Sequence, residues 1–341
     1  MKKSLLATAI KISSVLAVAA LSTAAYAAPE VYGQVRLSLT YNDIETKVDG
    51  IVDESKTSKR PELGSGNSRL GFRGKEALTE NTDLEYRLEY RVDVAENSDT
   101  NFSARHGYLA LNNKQYGKLL AGRTISQDDY LDVSESWWRV AGGGYDFGHD
   151  AAWVNNTVIY STPKFNNDKT YAFVQYGMDE GKDGARSFQT FENGVVKSVS
   201  RDFVMLGAIH QDDKTYAGFT YTQAGNDLKS ARGSISHQVT DKIKTYGILQ
   251  YTDFNSDDNE LSAFAGVAYK LKEPTTLWLQ GYYSDNYKGY SNGESSGGTI
   301  GVKHNVNKNL TGFASLGFKK AEYDKTKVDG KGIEIGTIYR F

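Results

Sequence analysis

Arginine and carboxylate spacing carries the first chemical signal. Arg69 and Arg73 flank Gly71 in Ser68-Arg69-Leu70-Gly71-Phe72-Arg73, and Arg87 and Arg91 stand among Glu85, Glu89 and Asp93 between Leu84 and Val94. In an extended chain, residues two and four apart share a face, so the Arg69 and Arg73 side chains would project together, ~13 Å apart. Guanidinium groups lining a narrow aqueous passage set up a field that acts on ions and polar solutes. The same charges can equally form ion-pair ladders between strands, and for Arg87 and Arg91 that alternative stays open. A second signal is the acidic stretch 125–155, with Asp128, Asp129, Asp132, Glu135, Asp146 and Asp150 around Trp137, Trp138 and Gly142-Gly143-Gly144. Its carboxylates could face the arginines across a passage or belong to a solvated loop. Catalytic signals are poor. The five histidines, His106, His149, His210, His237 and His304, lie in no G-x-S-x-G or H-E-x-x-H context, and there is no cysteine. Thiol nucleophiles, thiolate metal sites and disulfides are excluded, and no cofactor is implied.

These charges need elements that sort one face from the other, and the sequence repeats one device throughout. Leu84, Tyr86, Leu88, Tyr90, Val92 and Val94 alternate with Glu85, Arg87, Glu89, Arg91 and Asp93, and similar alternation recurs in 31–41, 261–271 and 333–341. This is the period of a strand. About sixteen such segments are predicted, near 30–42, 66–76, 82–94, 102–112, 117–125, 156–163, 169–178, 199–211, 214–224, 228–239, 242–253, 260–271, 275–286, 297–306, 309–320 and 331–341. Most are about 8–13 residues long, which suits a tilted membrane crossing better than a soluble sheet. Short polar turns such as Asp212-Asp213-Lys214 and Asn307-Lys308-Asn309 alternate with long connections such as 42–65, 125–155 and 178–198. An even number of antiparallel strands lets the last pair with the first, leaving no edge in lipid. The expected fold is therefore all-β: a transmembrane antiparallel β-barrel of 16 strands with long outer loops and short turns on the other rim. A soluble sandwich is the rival architecture.

Composition agrees. The chain has 341 residues, 40 Lys+Arg against 42 Asp+Glu, 23 Tyr and only 4 Pro. The near balance of charge gives no sign of a nucleic-acid partner. A mean hydropathy of -0.53 would read as soluble, but alternating strands average to a polar value even when one face meets lipid. Residues 1–27 join Lys2, Lys3 and Lys11 to an apolar run and end Ala25-Tyr26-Ala27, the pattern of a secretory signal peptide cut after Ala27. Residues 28–341 show no composition break and are read as one barrel domain.

Three stretches carry a family resemblance: VYGQVRLSLTY from Val31, SRLGFRGKEAL from Ser68 and HGYLALNNKQYGKLLAGR from His106, followed by the ending IGTIYRF. Together they resemble the trimeric general porins of Gram-negative outer membranes, especially the neisserial-type branch, over the whole mature chain. The resemblance implies a homotrimer in the outer membrane, each barrel a separate pore for passive diffusion of small hydrophilic solutes and ions. It implies 125–155 as an inward-folded constriction loop, with Asp146 and Asp150 nearest its tip and Asp128, Asp132 and Glu135 as further acids. It implies Arg123 as a basic pore residue beside Arg69 and Arg73, with Arg36, Arg87, Arg91 and Arg105 as further candidates. Phe341, with Tyr339 before it, resembles the signal read by the barrel-assembly machinery, and lipopolysaccharide would surround the outer rim. Gln34 and Ser161 stand where relatives can carry basic residues, which thins the basic row. A substrate-specific channel is the alternative function, and a barrel enzyme a more distant one.

Overall fold

A computed structural model describes residues 28–48, 60–96, 101–135, 140–141, 143–150, 153–178, 188–192, 195–199 and 202–341. The expected signal peptide 1–27, Trp137, Trp138 and Gly142 lie outside the described residues. β1 (Glu30–Val48) is followed by β2 (Glu62–Ser65), β3 (Arg69–Thr79), β4 (Thr82–Val92), β5 (Phe102–Asn113) and β6 (Gly117–Ile125). After the long connection come β7 (Trp153–Ser161) and β8 (Thr170–Gly177), then a separate hairpin of β9 (Phe188–Glu192) and β10 (Val195–Val199). The second half runs through β11 (Phe203–Gln211), β12 (Thr215–Ala224), β13 (Leu228–Gln238), β14 (Ile243–Asp253) and β15 (Glu260–Lys272). It ends with β16 (Thr275–Asp285), β17 (Glu294–Asn305), β18 (Leu310–Tyr323) and β19 (Thr326–Arg340).

All strands except the β9–β10 hairpin belong to one sheet, and every pairing is antiparallel. β1 pairs on one side with β19, from Gln34↔Arg340 to Val48↔Thr326, and on the other with both β2 and β3. β2 and β3 are thus two halves of one stave, interrupted at 66–68, and the ring closes with 16 staves. At the seam, Gly33 N–H donates to the Phe341 carbonyl at 3.0 Å and Phe341 N–H returns to the Gly33 carbonyl at 3.2 Å.

The alternation that forms these strands has its apolar side outward. Leu249 is 59% exposed, Leu279 57%, Ile300 54% and Leu316 53%, whereas Arg232, Gln250, Glu89 and Glu334 are at most 2% exposed. An uninterrupted belt of exposed Leu, Ile, Val and Phe would aggregate in water and is satisfied by hydrocarbon. Two expectations change. β1 and β19 run on to Val48 and back to Thr326, beyond the predicted 42 and 331. Past Tyr41 the outward face turns from apolar to charged, with Asp43, Glu45 and Lys47 opposite Lys331, Asp329 and Lys327, while Ile44 and Val48 take the inward face, so the alternation goes on with its phase reversed and no longer reads as a lipid crossing. The stretch 178–198, expected as loop, contains the β9–β10 hairpin.

Candidate functional site: the channel constriction

The arginines gather on the inner wall of β3 to β6, around one carboxylate. Glu89, wholly buried, accepts Arg87 Nη2 at 2.7 Å, Arg105 Nε at 2.7 Å and the Tyr32 hydroxyl at 2.9 Å, with Arg69 Nε at 3.9 Å. Three guanidinium groups share one negative charge, which leaves the cluster net positive. Arg73 lies further along the wall, forked onto Glu30 at 2.6 and 2.8 Å and 4.8 Å from the Tyr32 ring centre. Arg91 is exposed on β4 in register with Arg69, four positions from the Arg73↔Arg87 pair. The ladder role and the lumenal role coincide for Arg87, since it pairs with Glu89 while about a quarter of its side chain stays exposed.

Arg105 and Arg123 are aimed by bulges. The β4–β5 register slips between Glu89 and Tyr90, and the β6–β7 register slips between Gly122 and Thr124. Arg105 is the extra residue of the first bulge and is turned out of the ladder, whereas at the second the extra residue lies in β7, where Asn155 and Asn156 together oppose Arg123. Gly122 has φ +139°, a conformation that side chains resist, and a Cβ there would lie 2.3 Å from the Gly107 carbonyl oxygen. Trp153 receives both cations, with Arg105 at 4.5 Å and Arg123 at 5.7 Å from its ring. Arg123 also donates to the Ala104 carbonyl at 3.1 Å and to Asn155. Arg36 sits elsewhere: it is 2% exposed, bonded to the buried Glu334 at 2.7 Å and lying 5.1 Å from the Phe313 ring.

The described residues of the segment 125–155 fold into the barrel and are fastened to the opposite wall. Its first turn, a 3-10 helix at Gln127–Leu131, is held by Gln127 N–H donating to Gln175 at 2.9 Å and by the Tyr216 hydroxyl donating to the Tyr130 carbonyl. Leu131, completely buried, enters a cluster of Val154, Phe173, Phe203, Met205 and Ile209. Gly218 on β12 makes room, because a Cβ there would fall 2.3 Å from Leu131 Cδ2. Further along, the loop acids meet cations from β13 to β18. Asp150 takes Arg232 Nη2 at 2.9 Å, Asp146 takes Lys319 at 2.7 Å, and Glu135 bridges Lys244 and Lys303. Arg232, 1% exposed, also donates to Gln250 at 2.6 Å, the Tyr145 hydroxyl at 3.2 Å and the His149 carbonyl at 3.3 Å. Gly148 N–H donates to both carboxylate oxygens of Glu260, at 2.8 and 3.1 Å.

These acids therefore anchor the loop. Three remain close together at its base with divided ionisation. Burial opposes the charge of Asp128, but the His149 hydrogen bond and the Arg232 charge outweigh it and hold the carboxyl down at about 2. Asp129 is pushed up to about 7, by burial first and then by Asp132, Asp150 and Asp128. Burial also raises Asp132. Glu135 stays below the usual range, since Lys303 and Lys244 overcome its burial.

The residues that fix the loop, Arg232, Lys244, Glu260, Lys303 and Lys319, were not singled out by sequence reasoning. Each is a single charge on the polar face of a strand; Arg232, between Ser230 and Ser234, was the most legible as an isolated cation in an otherwise uncharged row. Glu89 was counted only as a ladder partner. The histidines serve the wall: His106, His210, His237 and His304 each place Nδ1 within 2.8–3.0 Å of a threonine hydroxyl, and His149 lies 3.5 Å from Asp128.

Comparison with known proteins adds the following likenesses. The profile of the Gram-negative porin family matches residues 13–324. The major outer membrane protein P.IB of Neisseria sicca is 30% identical over 138 residues, 40% of this chain and 35% of that protein. The match thus spans about a third of that relative's length. P.IB of Neisseria gonorrhoeae is 23% identical over 376 residues, 100% of both chains. Among solved structures, an anion-selective porin from Comamonas acidovorans superposes with a TM-score of 0.66 at 19% identity, covering 92% of this chain and 99% of that one.

Proposed function

The chain belongs to the Gram-negative porin family, as an outer-membrane, pore-forming β-barrel, and from that premise we propose that its lumen passes small hydrophilic solutes and ions passively, with a preference for anions. One observation carries the preference. Arg69, Arg87 and Arg105 surround the single carboxylate of Glu89, while Glu135, Asp146 and Asp150 spend their charge on lysines and an arginine of the far wall. The free positive potential then lies on the β3–β6 side, and among the described residues Glu135, Asp146 and Asp150 across from it are already paired. In a narrow channel with low-dielectric walls, such an imbalance raises the local concentration of anions. The similarity to an anion-selective porin supports the same sign.

Arg69, Arg73, Arg87, Arg91, Arg105 and Arg123 are the basic row in this reading, with Asp128 and Asp132 shaping the base of the inward loop. The threonine partners of four histidines support a channel with no catalytic role. Residues 28–341 form one barrel after cleavage following Ala27, assembling as a homotrimer with lipopolysaccharide at its outer rim. Phe341 and Tyr339 present the ending to the assembly machinery. The test is the reversal potential of purified protein in a planar bilayer under a KCl gradient. A potential of the anion-selective sign is expected. A cation-selective sign would overturn the proposed field, and folded protein that yields no conductance steps would overturn the pore reading.

A further inference from the structure

Between the first turn of the inward loop and the short-turn rim lies a cavity of about 510 Å³ that the arginine row does not reach. Its walls hold Tyr108 from β5, Tyr130 from the loop and Tyr171 from β8, with Leu120 and Ile159 packed at its base. Asn112, Lys118 and Gln127 supply amide and ammonium groups around the rings, and Lys164 and Asp168 stand at the rim. Lys118 is not a bare cation, because Glu85 holds it at 2.7 and 2.8 Å while its ammonium lies 5.8 Å from the Tyr108 ring centre. The rim pair likewise carries one charge of each sign. Lys114 lies at the turn with its ammonium on the Glu80 carbonyl at 2.8 Å.

We propose that this cavity is a transient binding site for a neutral, ring-shaped polyhydroxylated solute, a mono- or disaccharide. It rests on the reading of the lumen as a diffusion path. The chemistry follows from the lining. A pyranose has an apolar C–H face that packs on an aromatic ring, and hydroxyls at its edge that exchange hydrogen bonds with amides, ammonium groups and phenol oxygens. Three tyrosines on three different elements supply the first, and Asn112, Gln127 and Lys118 supply the second. Glu85 neutralises Lys118 and Asp168 stands with Lys164, so of the cavity's lysines Lys114 alone keeps its charge, and that one is turned onto the Glu80 carbonyl. The volume accommodates two sugar rings and not a long chain.

The test uses purified wild-type protein in a planar bilayer in KCl, with maltose titrated on each side in turn and ion current recorded. Saturable reduction of the current is expected. Tyr171→Ala should raise the half-saturating concentration roughly threefold to tenfold, the span of one lost ring contact, while Tyr171→Phe keeps it near wild type because the ring remains. A current that falls linearly with maltose, identically in wild type and Tyr171→Ala, would overturn the proposal. Saturation by benzoate but not by maltose would also overturn it, assigning the cavity to an aromatic anion. Calorimetric titration of maltose into detergent-folded protein reports the site directly, so an absence of conductance steps refutes the diffusion path while this measurement still decides binding.

Discussion

Replacing Arg232 with methionine should release the inward loop without opening the barrel. The guanidinium makes one ion pair with Asp150 and four further hydrogen bonds, to Gln250, the Tyr145 hydroxyl and the carbonyls of Asp128 and His149, at 2.6–3.4 Å. It is 1% exposed. Removing one partner of a buried charged network typically costs about 3–5 kcal/mol, and methionine keeps most of the volume, so the added packing loss is small. The β13–β14 ladder from Lys229↔Asp253 to Gln238↔Lys244 is backbone and survives. Most of the cost therefore falls on the contact between loop and wall, since only the Gln250 bond lies within the wall itself. At 1.4 kcal/mol per factor of ten, the undocked fraction of residues 149–150 rises by roughly two to three and a half orders of magnitude. The Glu135 and Asp146 clamps still hold the rest of the loop. Single-channel recordings of Arg232→Met should show larger open-state current noise and higher conductance, with heat-modifiable mobility retained. Asp150→Asn is the graded control: Asp150 is 46% exposed, so solvent already screens it and its loss should have a much smaller effect. A folded Arg232→Met barrel with wild-type noise and conductance would refute the anchoring argument.

Three other outcomes follow from the same geometry. Asp129 has a folded value raised to about 7 against about 3.9 in an unfolded chain, so its support for the docked loop is complete below about pH 4 and is withdrawn as pH climbs through about 7. The reversal potential should accordingly drift toward cations with a midpoint near pH 7, and Asp129→Asn should flatten that curve; a persistent midpoint in the variant would place the titration elsewhere. Glu89→Gln removes the one negative charge among Arg69, Arg87 and Arg105, and is expected to increase anion selectivity in folded protein while lowering its thermal midpoint by several degrees; unchanged selectivity would show that the cluster lies off the ion path. Deleting Phe341 removes both seam hydrogen bonds to Gly33, and the folded fraction recovered from membranes should fall at least severalfold; normal yield would rule out an assembly role for the residue.

The strands were legible because lipid on one side and water on the other force a period of two on every stave, so even a short window such as Leu84 to Val94 states its faces. What escaped has a different cause at each place. In the extensions of β1 and β19 the outward face leaves lipid for water and turns charged at Asp43, Glu45 and Lys47, so the apolar phase set by the preceding residues breaks off there. The loop anchors are contacts between distant parts of the chain: Glu135 meets Lys303 across 168 positions, and no local spacing encodes that meeting. Arg36 and Arg69 occupy similar alternating contexts, yet one is enclosed with Glu334 and Phe313 while the other borders the lumen. The difference comes from what β19 and the inward side of β18 bring to β1. Likewise, no sequence window joins Tyr108, Tyr130 and Tyr171, which become neighbours only through the barrel's curvature and the docked loop.

The seam between β1 and β19 also constrains how the molecule is made. Most staves find a partner in the next stretch of chain to emerge, but Gln34 must wait for Arg340. Until then the growing sheet has two raw edges, whose unmatched N–H and C=O groups hydrocarbon does not tolerate. A partial barrel consequently has no resting place in the bilayer. Synthesis must finish first, the unclosed sheet must be shielded from lipid and from other edges, and passage into the membrane must coincide with the final zipping of the two chain ends. Loss of the last strand alone would leave all the preceding ones intact in sequence and without a stable destination.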